Sequence, residues 1–486
     1  MSKIVTKIND EVRKRTAKRC KEKGIKIPTF KQLRNPELIS EDIKAKLPNI
    51  GLWDVNPLNL FRITWKNDIK NGLYGSVNYL EIPKSITGVK ARIIGLVGKY
   101  FPTGAHKVGA AFGCLVPRLV SGEFDPEYHK AVWPSTGNYC RGGAFDCALL
   151  NCTSVAILPE EMSKERFEWL KSIGSEIIAT PGCESNVKEI YDKCWELRKD
   201  PTYLIFNQFD EFGNPIFHYN VTAPAIEEVY KSVATNKQKL SAYISATGSA
   251  GTIGAGDYLK KHYPNAKVVA SEALQCPTLL MNGFGAHRIE GIGDKHVPWV
   301  HNVRNTDVVV AIDDEDCMQV LRLFNELEGK NLLSEIMKND NFDVENLSLL
   351  GISSISNLLT AIKVAKYYEF DENDIIFTIF TDSADMYRSR LVELNDQLGN
   401  FTKNDALKSF VGSIEKQSID FTKELTYFDR KALHNLKYYT WVEQQGKTVE
   451  QINELWNPDF WEDIFENEIT YFDQLIEEFN QIVEKS

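Results

Sequence analysis

The sequence predicts an α/β fold: two parallel-sheet α/β domains with a ligand cleft between them, then a C-terminal helical extension. Three observations carry this. Between about residues 90 and 390, short apolar runs alternate with amphipathic segments of helical period. The amphipathic segments carry helix start and stop signals. After about 390 the pattern changes to long polar-aromatic helices. Alternating strands and helices imply a parallel sheet covered on both faces.

In order, "KAVWP" (130–134) is a strand before a turn, and "SVAILP" (154–159) is a strand stopped by Pro159. "SKERFEWLKSIG" (163–174) is a helix ended by Gly174. "SEIIAT" is a strand, "ESNVKEIYDKCWELRKD" a helix and "TYLIF" a strand. "SAYISATG", "KVVASEA", "DVVVAI" and "DIIFTIFTD" are further strands. "DDEDCMQVLRLFNELEG" is a helix whose acidic first turn suits the helix dipole, and "SSISNLLTAIKVAKYY" is a serine-capped helix. Near the end, Trp461, Phe465, Ile469, Phe472, Ile476 and Phe479 fall at helical spacing and read as a packing stripe. These patterns divide the chain into a basic helical segment (1–50), a smaller α/β domain (90–205), a larger one (51–89 with 206–390) and a helical extension (391–486).

With 486 residues the chain is long enough for two or three domain-sized units. A net charge of −10 argues against a nucleic-acid partner. No apolar run approaches the length of a membrane span, and no signal-peptide pattern opens the chain. Nine cysteines without a C-x-x-C pair imply free thiols in a reducing cytoplasm and no zinc site. Residues 1–31 carry 11 Lys/Arg against 3 Asp/Glu, and residues 441–486 carry 12 Asp/Glu against 2 Lys. They are either two solvated faces or a head and tail that pair, within one chain or across a dimer.

Ligands of such sheets sit at the carboxyl ends of strands, and four loops there are rich in small and polar residues. "FPTGAHKVGAA" (101–111) places Lys107 between a turn and an apolar helix start. On an apolar wall a lysine is driven towards its neutral amine, a nucleophile for a carbonyl. "STGNYCRGG" (135–143) offers Ser135, Thr136, Gly137 and Asn138 at a helix N-terminus, an anion site suited to a carboxylate. "SATGSAGTIGAG" (245–256) is a glycine-rich turn whose N–H groups can nest a phosphate, although it lacks the P-loop ending. In "TDSADMY" (381–387), alternation lets either Asp382 or Ser383 face the cleft. A lysine for an aldehyde, a phosphate nest, a carboxylate loop and a group for a ring nitrogen together fit pyridoxal 5'-phosphate.

The order of these loops resembles fold-type II pyridoxal-phosphate enzymes, the group of cysteine synthase, cystathionine β-synthase and the tryptophan synthase β-subunit. "PTGAHK", "STGN", "NQFDEFGNPIFHYNVTAPAIEE" (207–228), "HRIEGIG" (287–293), "GISS" (351–354) and "TDSADMY" resemble that group's motifs in its order over about 85–390. The resemblance implies that Lys107 forms the Schiff base and moves the α-proton, with His106 near the phosphate. It implies that Thr247, Gly248, Ser249, Ala250, Gly251 and Thr252 hold the phosphate. Asn138 would bond the ring hydroxyl oxygen, and Ser383 would meet the ring nitrogen. Ser135, Thr136 and Gly137, with Asn138, would hold the substrate carboxylate.

The chain departs from the group's pattern at Val108-Gly109, at Tyr139-Cys140-Arg141, and at Ala250 where a glycine is usual. Pro117 also falls inside the expected helix, where a kink is predicted. Arg141 is either a surface arginine or a contact for an anionic substrate side chain. The expected reaction is that of a lyase acting on a small L-amino acid of the cysteine, serine or threonine type, by β-elimination through an aminoacrylate. The alternative is cysteine-synthase-like β-replacement; from another class, it is a cofactor-bound regulatory or assembly protein. A homodimer is expected.

Overall fold

A computed structural model describes residues 2–135, 137–182 and 187–486. The strands are β1 (Tyr79–Ile82), β2 (Arg92–Val97), β3 (Lys130–Pro134), β4 (Thr153–Pro159), β5 (Glu176–Thr180), β6 (Tyr203–Ile205), β7 (Lys239–Ala246), β8 (Lys267–Ala273), β9 (Val308–Ile312), β10 (Asp374–Phe380) and β11 (Thr422–Glu424). They form a four-stranded sheet, β5-β4-β3-β6, and a seven-stranded sheet, β1-β2-β10-β7-β8-β9-β11. The small sheet is wholly parallel. In the large sheet β2, β10, β7, β8 and β9 are parallel, and the edge strands β1 and β11 run antiparallel to β2 and β9.

The predicted strands of residues 130–380 all form. Every residue of β10 (DIIFTIF) is buried because helices cover both faces of the large sheet. The predicted helix 163–174 is observed as Lys164–Ser172, and "SSISNLLTAIKVAKYY" as Ile352–Tyr367, capped by Gly351 and not by a serine. The helix predicted to begin at Glu184 is seen as Val187–Leu197; its first residues lie outside the described residues.

Two boundaries differ from the prediction. β2, at residues 92–97, belongs to the large sheet, so the small sheet draws only on 130–205. The segment after 390 is not purely helical: β11 closes the β9 edge of the large sheet. The helix Lys107–Ser121 runs through Pro117, which remains buried inside it.

The basic head and acidic tail pair within one chain. Glu468 accepts from Ser2 Oγ and the Lys3 N–H, both at 2.5 Å. Asp473 accepts from the N–H groups of Phe30 (2.6 Å) and Lys31 (3.1 Å), capping the short helix there. Ion pairs Lys3–Asp463, Lys26–Glu484 and Arg13–Glu478 flank this seam. Beneath them the predicted aromatic stripe is packed: Phe472 meets Phe30, and Phe30 meets Phe112 on the helix that begins at Lys107. The clasp therefore braces the back of the lysine helix.

Three buried carboxyls set a pH dependence. Burial pushes Asp294 and Glu272 up to about 8, and Asp257 up to about 7. A raised folded pKa means the folded chain holds protons that the unfolded chain has released. Their contribution is complete at low pH and is lost as pH rises through about 7 to 8. The thermal midpoint should therefore fall as pH rises from 4.5 towards about 8, and Glu272→Gln should flatten that slope in a melting series. Among the described residues, no helix is long and apolar enough to cross a membrane.

Candidate active site

The turn before Lys107 is under backbone strain. Thr103 (φ 70°) and Gly104 (φ 72°) are both left-handed, a conformation costly for a β-branched residue. Gly104 is required for a second reason: a Cβ there would lie 2.6 Å from the Trp53 ring. The turn ends at buried His106, and Lys107 opens the helix Lys107–Ser121. Its amine donates to Ser249 Oγ at 3.1 Å and to Gln208 Oε1 at 3.4 Å.

Ser249 belongs to the loop between β7 and the helix Ile253–His262. Ala250 in this loop is left-handed at φ 60°, the conformation for which a glycine is usual. Glycine also admits the neighbouring chain: a Cβ on Gly251 would meet Asn214 Oδ1 at 2.0 Å. Asn214 in turn donates to Ser249 Oγ at 3.0 Å. Facing this loop, Gln208 Nε2 donates to Ser135 Oγ at 3.2 Å, linking the lysine to the loop after β3.

His106, Lys107, Ser135, Asn138, Gly248, Ser249, Ala250, Gly251 and Thr252 line one cavity, with Tyr139, Gln208, Gly291, Ile292 and Thr381 among its other walls. Its empty volume is about 490 Å³. Burial, with the Lys107 charge second, pushes His106 down to about 3; it is a neutral partner near this site.

Four predicted residues are not in this lining. Thr247 is buried, its hydroxyl committed to Ser271 O. Gly137 lies just behind the lining, packed on Arg166. Arg141 is buried and not on the surface. Ser383 is buried beside it: β10 ends at Phe380, Thr381 lines the cavity, and Ser383 Oγ donates to Asp385 at 3.4 Å. The neighbouring Asp382 accepts from Asn138 Nδ2 and Tyr387 OH, both at 2.7 Å. Gly351 makes room for its carboxylate, since a Cβ there would lie 2.0 Å from Asp382 Oδ1. Thr136 lies outside the described residues.

Gln208, Asn214, Thr381 and Asp294 were not singled out from the sequence. Gln208 and Asn214 lie inside the 207–228 motif, and Asp294 directly follows "HRIEGIG"; the motifs marked the segments without marking which side chains turn inward. Asp294 is buried, its Oδ2 has no hydrogen-bond partner among the described residues, and the Lys107 charge opposes its burial-driven rise in pKa.

A match to the family model described as pyridoxal-phosphate dependent enzyme covers residues 99–332. A cysteine synthase of Staphylococcus aureus is 30% identical over 289 residues, 59% of this chain and 84% of that one. The chain belongs to the pyridoxal-phosphate-dependent enzyme family. A probable cysteine synthase of Bacillus subtilis is 28% identical over 59% of this chain and 85% of its own length. A hydrogen sulfide-producing enzyme of Fusobacterium nucleatum aligns at a TM-score of 0.54 with 25% identity, over 64% of this chain and 97% of that one. An O-acetylserine dependent cystathionine β-synthase of Helicobacter pylori has the same fold, at a TM-score of 0.53 and 21% identity over 65% and 95% of the two chains.

The cofactor of this pyridoxal-phosphate-dependent enzyme fits the residues present. The cavity joins a lysine amine, a glycine-rich loop at a helix N-terminus and two buried polar atoms without a hydrogen-bond partner among the described residues, Asn138 Oδ1 and His106 Nδ1. The left-handed Ala250 gives a prediction. Ala250→Gly should leave cofactor affinity unchanged, whereas Ala250→Val, β-branched at positive φ, should weaken it at least about tenfold. Absorbance titration of the two variants with pyridoxal phosphate reads the difference.

Proposed function

We propose that this enzyme removes the α-proton of a small L-amino acid and expels the substituent on its β-carbon, with Lys107 as the base. The observation that carries the reading is the Lys107 amine, 3.1 Å from Ser249 Oγ in a cavity that also holds Ser135 and Asn138. Bound pyridoxal phosphate supplies an aldehyde for the lysine and an electron sink for the α-carbon. The loop Gly248–Thr252 holds the phosphate at the N-terminus of the following helix, with neutral His106 beside it. Ser135, Gly137 and Asn138 hold the substrate carboxylate at the N-terminus of the helix Asn138–Leu149, and Thr136 belongs to the same loop. Gln208 spans the lysine and Ser135, so it fixes the amine relative to the carboxylate. The Lys107 Nζ takes the α-proton and stays within reach of the leaving side.

Water as the second reactant gives a 2-oxo acid and ammonia, which is lyase chemistry. A second nucleophile gives β-replacement, and the relatives named cysteine synthase support that branch. The enzyme is further read as a cytoplasmic homodimer. Eight described cysteines, all free thiols, support the compartment, and the exposed rings of Tyr427, Phe428 and Tyr439 support an interface.

The test incubates the reconstituted enzyme with serine, cysteine, threonine and O-acetylserine, with and without sulfide. A 2-oxo acid from at least one substrate establishes elimination, and a new β-substituted amino acid establishes replacement. Neither product from any substrate overturns the reading.

A further inference from the structure

A second cleft lies between the helix Ile253–His262, the turn Val303–Asn305 with Asn302 before it, and the C-terminal extension around 458–466. Its empty volume is about 770 Å³. It shares no described lining residue with the Lys107 cavity. The helix Ile253–His262 relates the two, because it begins directly after the loop 248–252.

One end of this cleft offers acceptors. Asp257 and Asn302 line it and are 6% and 4% exposed. Asp257 Oδ1 accepts from Asn302 Nδ2 at 2.8 Å and from Asn305 Nδ2 at 2.5 Å. The first of these bonds fixes which way the Asn302 amide turns, so its oxygen is the group left over. Asp257 Oδ2 and Asn302 Oδ1 are buried with no hydrogen-bond partner among the described residues. Orphaned acceptors on two side chains bonded to each other are costly. An ammonium group, with three donors, answers both.

The other end is basic. Arg304 Nη1 donates to Trp456 O at 2.9 Å, and its guanidinium lies 5.6 Å from the Trp456 ring. Lys431 Nζ lies 4.4 Å from the same ring. Neither cation makes an ion pair among the described residues. The surrounding charges are matched, three to three. Lys260 and Arg430 share Asp307, and Lys261 holds Glu462 and Glu466. None of these pairs includes Asp257 or Arg304. Tyr219, Phe465 and Trp461 complete the lining, with centroids 4.4 Å and 5.8 Å apart along the stack.

We propose that this cleft binds a free amino acid with an apolar side chain, its ammonium on Asp257 and Asn302 and its carboxylate on Arg304. Asn302 and Arg304 stand two residues apart on one short turn, a spacing that suits two charged groups joined by one carbon. A guanidinium pairs with a carboxylate through parallel N–H groups, and the aromatic wall suits an apolar side chain. The site is separate from the reaction read for the Lys107 cavity and does not depend on it.

The experiment is calorimetric titration of the reconstituted enzyme with L-leucine and L-phenylalanine. Each is compared with the amine and the acid that carry only one of its charged groups: isoamylamine and isocaproate for leucine, phenethylamine and hydrocinnamate for phenylalanine. At least one amino acid should bind at least about tenfold tighter than both of its analogues, a difference typical of one charge-assisted contact. Asp257→Asn keeps an acceptor for the two amides and removes the charge, and Arg304→Gln removes the partner of the carboxylate. Each should weaken that binding at least about tenfold while the variant develops the same cofactor absorbance as the wild type. Lys107→Ala should keep the binding within about twofold. No binding of either amino acid, an analogue binding as tightly as its parent, or affinity unchanged in both cleft variants would overturn the proposal. Binding lost in Lys107→Ala would also overturn it, because the amino acid would then occupy the Lys107 cavity. Should Asp257→Asn not fold, Arg304→Gln at its half-buried position decides, together with the amine and acid analogues. A protein that never develops cofactor absorbance overturns the reading of the Lys107 cavity instead, and the same titration still decides this site.

Discussion

Lys107→Ala should give a folded protein that develops no visible absorbance with pyridoxal phosphate and has lost roughly 10³-fold or more of its activity. The amine at residue 107 is the covalent partner proposed for the cofactor and the base proposed for the α-proton, so one substitution removes both. The fold should survive, because the described partners of the amine, Ser249 Oγ and Gln208 Oε1, are polar groups of the cavity wall and not of the core. Circular dichroism and the thermal midpoint check the fold, and absorbance and product assays check the chemistry. A variant that keeps its colour and turnover would remove Lys107 from the mechanism.

Gly113→Val should cost about 3 kcal/mol or more, the upper end of overpacking penalties. Gly113 lies on the lysine helix where it touches the helix Gly213–Phe217 backbone to backbone. A Cβ on Gly113 would lie 2.3 Å from Gly213 O, and one on Gly213 would lie 2.2 Å from Gly113 O. Gly109, one turn earlier, leaves space for Phe217 in the same way, at 2.0 Å. Backbone on both sides cannot yield as a side chain can, so the helices must separate and Lys107 must move with them. A lowered thermal midpoint, poor soluble yield and weakened cofactor absorbance are expected together. Gly412→Ala is the control: nothing lies within 4 Å of its Cβ, and its effect should stay within about 0.5 kcal/mol.

The legible part of this enzyme lay at strand ends. Strands buried on both faces announce themselves as apolar runs, and the loops after β3, β7 and β10 could then be read for chemistry. Lys107, Ser135, Asn138 and the 248–252 loop meet in one cavity because the parallel sheets aim those ends at a common cleft. What stayed hidden depended on turns and on distant pairing. Ser383 and Thr381 have the same parity, and only the bend after Phe380 decides which one lines the cavity. β11 reads Thr-Lys-Glu, with no apolar pattern, because an edge strand lies half in solvent. Gln208 and Asn214 act through partners on other elements, which spacing along the chain does not encode. Arg141 read equally well as a surface residue, since its burial depends on Trp53 and Trp169 arriving from other segments.

The seam that joins Ser2 and Lys3 to Glu468 spans 466 and 465 positions of the chain. On the ribosome the two halves of that seam are made far apart in time. Until Phe472 and its neighbours emerge, Phe30 and Phe112 have no cover, and the nascent chain carries an open apolar patch on the outer side of the helix that begins at Lys107. Both sheets can already be paired at that stage, so the late event is docking and not sheet formation. Folding of this enzyme thus has a natural last step, and a translating chain stalled before it is the form most exposed to aggregation and to capture by chaperones.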